Sequence, residues 1–132
     1  MGIVKDLWDI GQDLLGMSDK FKNAGKEKKE AASKLFLLIG GVLEDTYQKL
    51  SNKVYPGGNC QQLLIYGNEL YDRTKEIIGE QKARELSDKI VASHKVEQLY
   101  YELENTELPK NELAFLDEAS GFFKATANLM ML

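Results

Sequence analysis

Cys60 and His94, the single cysteine and the single histidine of the chain, are the residue types that could supply a nucleophile and its base. Cys60 closes the stretch KVYPGGNC at residues 53–60, which also holds Pro56 and the pair Gly57-Gly58. A thiol in the first turn of a helix lies near free backbone N–H groups and the positive end of the helix dipole, and both favour thiolate. Catalysis would further require His94 beside it and a third group to orient the imidazole. No spacing in the sequence brings these together, so Cys60 is expected to be structural, as the burial habit of cysteine suggests. The Gly57-Gly58-Asn59 turn could cradle an anion through its amides. It lacks the Gly-Lys-Ser/Thr of a phosphate loop, however, and follows a helical segment rather than a strand. The stretch reads as a helix stop, a reversal and a restart. Pro56 blocks an ordinary continuation, Tyr55 is pushed out of the helical region, and Asn59 is placed to cap the next helix.

Metal chemistry finds no support. One histidine with no cysteine at ligand spacing does not make a zinc site. A di-iron bundle needs Glu-x-x-His on two helices, whereas residues 91–94 read VASH. Glu102, Glu104 and Glu107, like Asp117 and Glu118, read as solvated acidic faces. The expectation is therefore no catalytic, metal or cofactor-binding residue, no small-molecule substrate, and no enzymatic activity. Six tyrosines are many for 132 residues. They suit a half-buried bundle groove or a partner surface.

The elements that would position these residues are helical. Ile3, Leu7, Ile10, Leu14 and Met17 recur at spacings of three and four, widened by Val4, Trp8, Gly11 and Leu15. The other side carries Lys5, Asp6, Asp9, Gln12 and Asp13, so residues 3–17 read as an amphipathic helix. Residues 18–25 read as a helix exit or short linker. A long helix is expected over 26–55. Its middle, LFLLIGGVL at 35–43, is apolar almost all round, so it reads as a central helix covered on several sides. That run is far short of the roughly 20 residues needed to span a bilayer. Gly40-Gly41 within it would allow close helix approach or a bend. Further helices are expected over 60–78, closed by Gly79, over 80–104 and over 111–130, with Pro109 punctuating the last break. No strand alternation or repeat is present. Short connections favour antiparallel neighbours. The expected fold is all-α, a single domain over 1–132: an antiparallel four-helix bundle (26–130) with an additional N-terminal amphipathic helix (1–17).

Composition narrows the function classes. A formal net charge of -4 and a pI near 5.1 argue against nucleic-acid partners, which call for a basic footprint. A single cysteine excludes an internal disulfide and fits a reducing compartment. The N-terminus does not read as a signal peptide, because acidic residues interrupt its apolar run.

Two features exceed what a plain bundle needs. One is the apolar first helix with Trp8. The other is a basic run of Lys20, Lys22, Lys26, Lys28, Lys29 and Lys34, diluted by Glu27 and Glu30. An amphipathic helix beside a basic patch is one way to engage a membrane surface. The acidic polar face of that helix, Asp6, Asp9 and Asp13, opposes anionic lipid and favours docking on the bundle or on another copy.

This layout, an apolar N-terminal helix, a Lys/Glu-rich linker (KFKNAGKEKKE, 20–30) and long helices after it, resembles the HeLo-like cell-death domains of fungi and the bacterial Bell domains. The resemblance implies an effector domain that is held silent, oligomerises, and then perturbs a membrane with its first helix. Carried onto this chain, the acting residues would be Ile3, Val4, Leu7, Trp8, Ile10, Leu14 and Leu15, with Lys20, Lys22, Lys26, Lys28 and Lys29 as the basic patch. Two functional expectations stand. The first is a membrane-perturbing effector in bacterial defence or regulated cell death, cytoplasmic and moving to the inner face of the membrane on activation, with lipid as a partner. The second is a protein–protein interaction or assembly bundle with no membrane role. Both involve self-association or a protein partner.

Overall fold

The computed structural model describes residues 3–105 and 110–132, and every regular element among them is helical. The order is α1 (Ile3–Gly16), α2 (Ser18–Lys22), α3 (Lys26–Ser51), α4 (Gly57–Ile78), α5 (Glu80–Ala92), a 3-10 segment (Ser93–Glu97), α6 (Gln98–Asn105) and α7 (Lys110–Leu129). The all-α class and the spans of α1 and α7 follow the sequence reading closely. The expected exit at 18–25 contains the short α2, which turns Phe21 into the core.

Helix α3 stops four residues earlier than expected, and Pro56 is not the cause. The Lys53 N–H donates to the Leu50 carbonyl (3.1 Å) and the Val54 N–H donates to the Lys49 carbonyl (2.7 Å). Lys53 itself has φ 59°. This is a Schellman ending with a lysine where glycine is usual. Helix α4 begins at Gly57, so Asn59 lies inside its first turn instead of capping it. The helix expected over 80–104 is broken at Ser93–Glu97. There the Ser93 hydroxyl donates back to the Ile90 carbonyl, a competitor to regular helix pairing.

Helix α7 packs against both α1 and α3, and α4 packs against both α3 and α5. Helix α1 also meets α5 and the 3-10 segment, so the chain of neighbours returns to its start. One contiguous cluster of buried side chains runs from Val4 to Met130. At its centre Phe21, Phe36 and Phe123 stack edge to face, with ring centres 5.2 and 6.3 Å apart. Each such side chain contributes on the order of 2 kcal/mol by leaving water.

Small residues bring the helices close. A Cβ on Gly40 would stand 2.8 Å from Lys124 Cγ and 3.2 Å from the Ser120 carbonyl oxygen on α7. Ser120 donates its hydroxyl to the Gly40 carbonyl (2.8 Å), and Ser33 does the same to Ala127 (2.9 Å). At the α4–α5 contact a Cβ on Gly67 would stand 2.8 Å from the Val91 nitrogen, and Ser87 donates to the Gly67 carbonyl. Gly41, next to Gly40, has open space where its Cβ would be.

Candidate functional site

The Cys60 region is a structural joint. Cys60 is buried, and that burial pushes its thiol pKa up, away from reactive thiolate. The His94 side chain lies outside the described residues. Asn59, 2% exposed, reaches across to α3. Its amide nitrogen donates to Asp45 Oδ2 and to Thr46 Oγ1, both at 2.9 Å, with the Val42 carbonyl at 3.4 Å. Its oxygen accepts from Lys49 Nζ at 2.7 Å. The side chain proposed as a cap is instead a rivet between α3 and α4. A Cβ on Gly57 would stand 2.6 Å from the exposed Tyr55 ring, so a larger residue there would have to displace that ring. Among the described residues no group of three or more His, Cys, Asp or Glu is placed to hold a metal ion.

Tyr55, Tyr100 and Tyr101 form a surface cluster with ring centres 5.3 to 5.9 Å apart. Tyr55 donates its hydroxyl to Glu97 (2.7 Å), and this carboxylate holds the phenol pKa above its ordinary value. The other tyrosines are half-buried: Tyr47, Tyr66 and Tyr71.

The α1 residues carried over by resemblance are placed inward. Val4, Leu7, Ile10 and Leu14 are buried in the common core, while Trp8 and Leu15 are half-buried. The Ile3 side chain lies outside the described residues. Trp8 packs on Phe115 and Phe122 of α7, with ring centres 5.4 and 5.9 Å away. Lys5 sits 4.1 Å over its ring. Asp13 of α1 pairs with Lys82 of α5 at 3.3 Å. The stripe is therefore covered in this conformation, and a membrane could meet it only after α1 leaves α7. No helix among the described residues is long and apolar enough to cross a membrane.

The lysines of the basic patch project from α2 and the start of α3. Lys20, Lys22, Lys26 and Lys28 are exposed and Lys29 is half-buried. Lys28 pairs with Glu76 of α4 at 2.9 Å, and Lys29 Nζ donates to the Lys22 carbonyl at 3.3 Å. Acidic and basic groups thus alternate here, which weakens any single-sign field.

The feature that sequence reading missed is the outer face of α3. Leu37 and Leu38 are 42% and 47% exposed, so the LFLLIGGVL run is not covered on all sides. With Gly41, Val42, Asp45, Gln62 and Tyr66 they line a shallow groove of about 330 Å³ between α3 and α4. Ile65, 58% exposed, projects from the same helix as Gln62 and Tyr66. The surface offers apolar contact and charge pairing. The signal that could have found it is the second stripe of α3: Ala31, Lys34, Leu38, Gly41, Asp45 and Gln48 recur at spacings of three and four, beside the buried one. Comparison with family models, with curated proteins and with solved structures finds no match to this chain.

Proposed function

We propose that this chain is a non-enzymatic protein–protein assembly module acting in the cytoplasm. The observation that supports this reading is the exposed apolar row on α3, Leu37 and Leu38 beside the bare Gly41. Single exposed leucines are ordinary; a row of them around a bare helix backbone suits a partner surface. The charged residues on either side of the row suit the rim of such an interface. The organisation behind it is taken as an antiparallel four-helix bundle of α3, α4, α5 with α6, and α7, on which α1 is the additional helix. Native mass should be followed over about 1–100 µM, the range of ordinary reversible association, alongside capture of partners from the source cell. A concentration-dependent rise in mass, or a partner whose binding Leu38→Asp abolishes, fits the proposal. A monomer at every concentration that retrieves no such partner overturns it.

A second reading keeps the membrane effector of regulated cell death or defence, with α1 as the acting helix. One observation favours it. Docking of α1 buries the Trp8 Nε1–H with no acceptor among the described residues, a cost that release into an interface would relieve. Trp8 is also the single tryptophan, so its emission reports α1 alone. Vesicles with about 30% anionic lipid should shift that emission and leak dye if α1 inserts. Unchanged emission and intact vesicles would exclude the reading.

A further inference from the structure

We infer that the outer face of α3 pairs with the same face of a second copy of this chain, the two helices running antiparallel about a two-fold axis. The inference rests on the assembly reading above and names its partner. Ala31, Lys34, Leu38, Gly41, Asp45 and Gln48 form a three-four stripe on the side of α3 turned away from the core; Ala31 is half-buried and the rest are exposed. The spacing of the stripe is that of a helix-packing seam, with a small apolar centre at Leu38 and Gly41 and charged residues on either side. In a two-fold pair each position meets a fixed counterpart. With the axis passing between Ile39 and Gly40, Leu38 lies opposite the partner's Gly41, and Gly41 opposite the partner's Leu38. Each leucine then seats on the helix backbone that the missing side chain leaves bare. The same register sets Lys34 opposite the partner's Asp45, and Asp45 opposite the partner's Lys34. Ala31 meets the partner's Gln48. Both ends of the apolar centre are thus flanked by opposite charges, without any further choice of register.

Two independent observations agree with this. Gly41 is a helix-weakening residue at mid-helix whose small size no described residue of this chain uses, since a Cβ there would touch none of them. Lys34 is exposed and has no ion-pair partner among the described residues, which leaves it available to a carboxylate of the second copy.

The test uses charge reversal and mixing, read by sedimentation equilibrium. The parent chain should dimerise. Leu38→Asp, at an exposed position that leaves the core intact, should weaken the dimer by at least about tenfold. Lys34→Asp alone sets Asp against Asp across the axis, and Asp45→Lys alone sets Lys against Lys, so each should weaken it by about three- to tenfold. An equimolar mixture of these two variants restores both opposite-charge pairs and should form a one-to-one heterodimer with close to parental affinity. Circular dichroism melting confirms that each variant is folded; should Asp45→Lys fail to fold, Asp45→Asn, which should weaken the dimer less than Lys34→Asp, takes its place. A parent that associates equally well with or without these substitutions overturns the α3 pairing and leaves assembly through another face. A monomeric parent overturns the pairing as well, and the assembly reading then rests on partner capture alone.

Discussion

Asn59 shows how one side chain can decide a helix crossing. It occupies the first turn of α4, yet its amide is satisfied entirely by α3, through Asp45, Thr46 and Lys49. Replacing it with alanine removes the donor to the buried Thr46 Oγ1, while the Thr46 hydroxyl still donates to the Val42 carbonyl at 2.7 Å. Asn59→Ala should therefore destabilise the fold by about 2 kcal/mol, measured by urea unfolding. The same side chain is the largest cause of the lowered pKa of Asp45, with Lys49 second. A carboxyl whose folded pKa lies below its unfolded value stabilises above that unfolded value. The contribution fades as pH falls through the folded pKa, so it is lost below the ordinary 3.8 of Asp45. Carbon-13 titration of the Asp45 carboxyl should show its pKa rising in Asn59→Ala, and rising less in Lys49→Met. None of this was legible beforehand: Asn after Gly-Gly fits a cap, and only the position of α3 turns it inward.

At the scale of the elements, spacing says which residues share a face but not which face meets a neighbour. For α1 the two agree, because only one side of that helix is apolar. For α3 they part, because LFLLIGGVL is apolar on both sides and the sequence alone gave no reason to leave one open. Endings follow the same logic. Pro56 drew the end of α3 towards itself, but the helix had already closed through the left-handed Lys53. Lys53→Gly should raise stability by about 0.5–1 kcal/mol, since glycine adopts that conformation without the Cβ penalty. The glycines inside helices separate by what faces them. Gly67→Ala drives a methyl into the Val91 backbone and should cost about 1–3 kcal/mol. Gly41→Ala meets nothing among the described residues and should stabilise the monomer by up to about 1 kcal/mol. Thermal melts at low protein concentration distinguish the two signs.

For the molecule as a whole, α1 is part of the core. Leu7, Ile10 and Leu14 are fully buried. Leu14→Ala should cost about 2–5 kcal/mol in chemical denaturation, a large share of the roughly 5–15 kcal/mol available to a domain of ordinary stability. Leu7→Asp should prevent folding, so loss of activity in that variant could not be credited to a surface role. The coarse class was readable because five amphipathic stretches with short breaks admit little else. The closed order of neighbours was not, because it depends on which helix the first one chooses. That choice has a consequence during synthesis. Helix α1 leaves the ribosome well before α7, against which it packs most extensively. At about 5–20 residues per second the nascent chain carries an uncovered apolar helix for on the order of ten seconds. During that interval chaperones, neighbouring nascent chains and lipid compete for a surface that the finished protein keeps to itself.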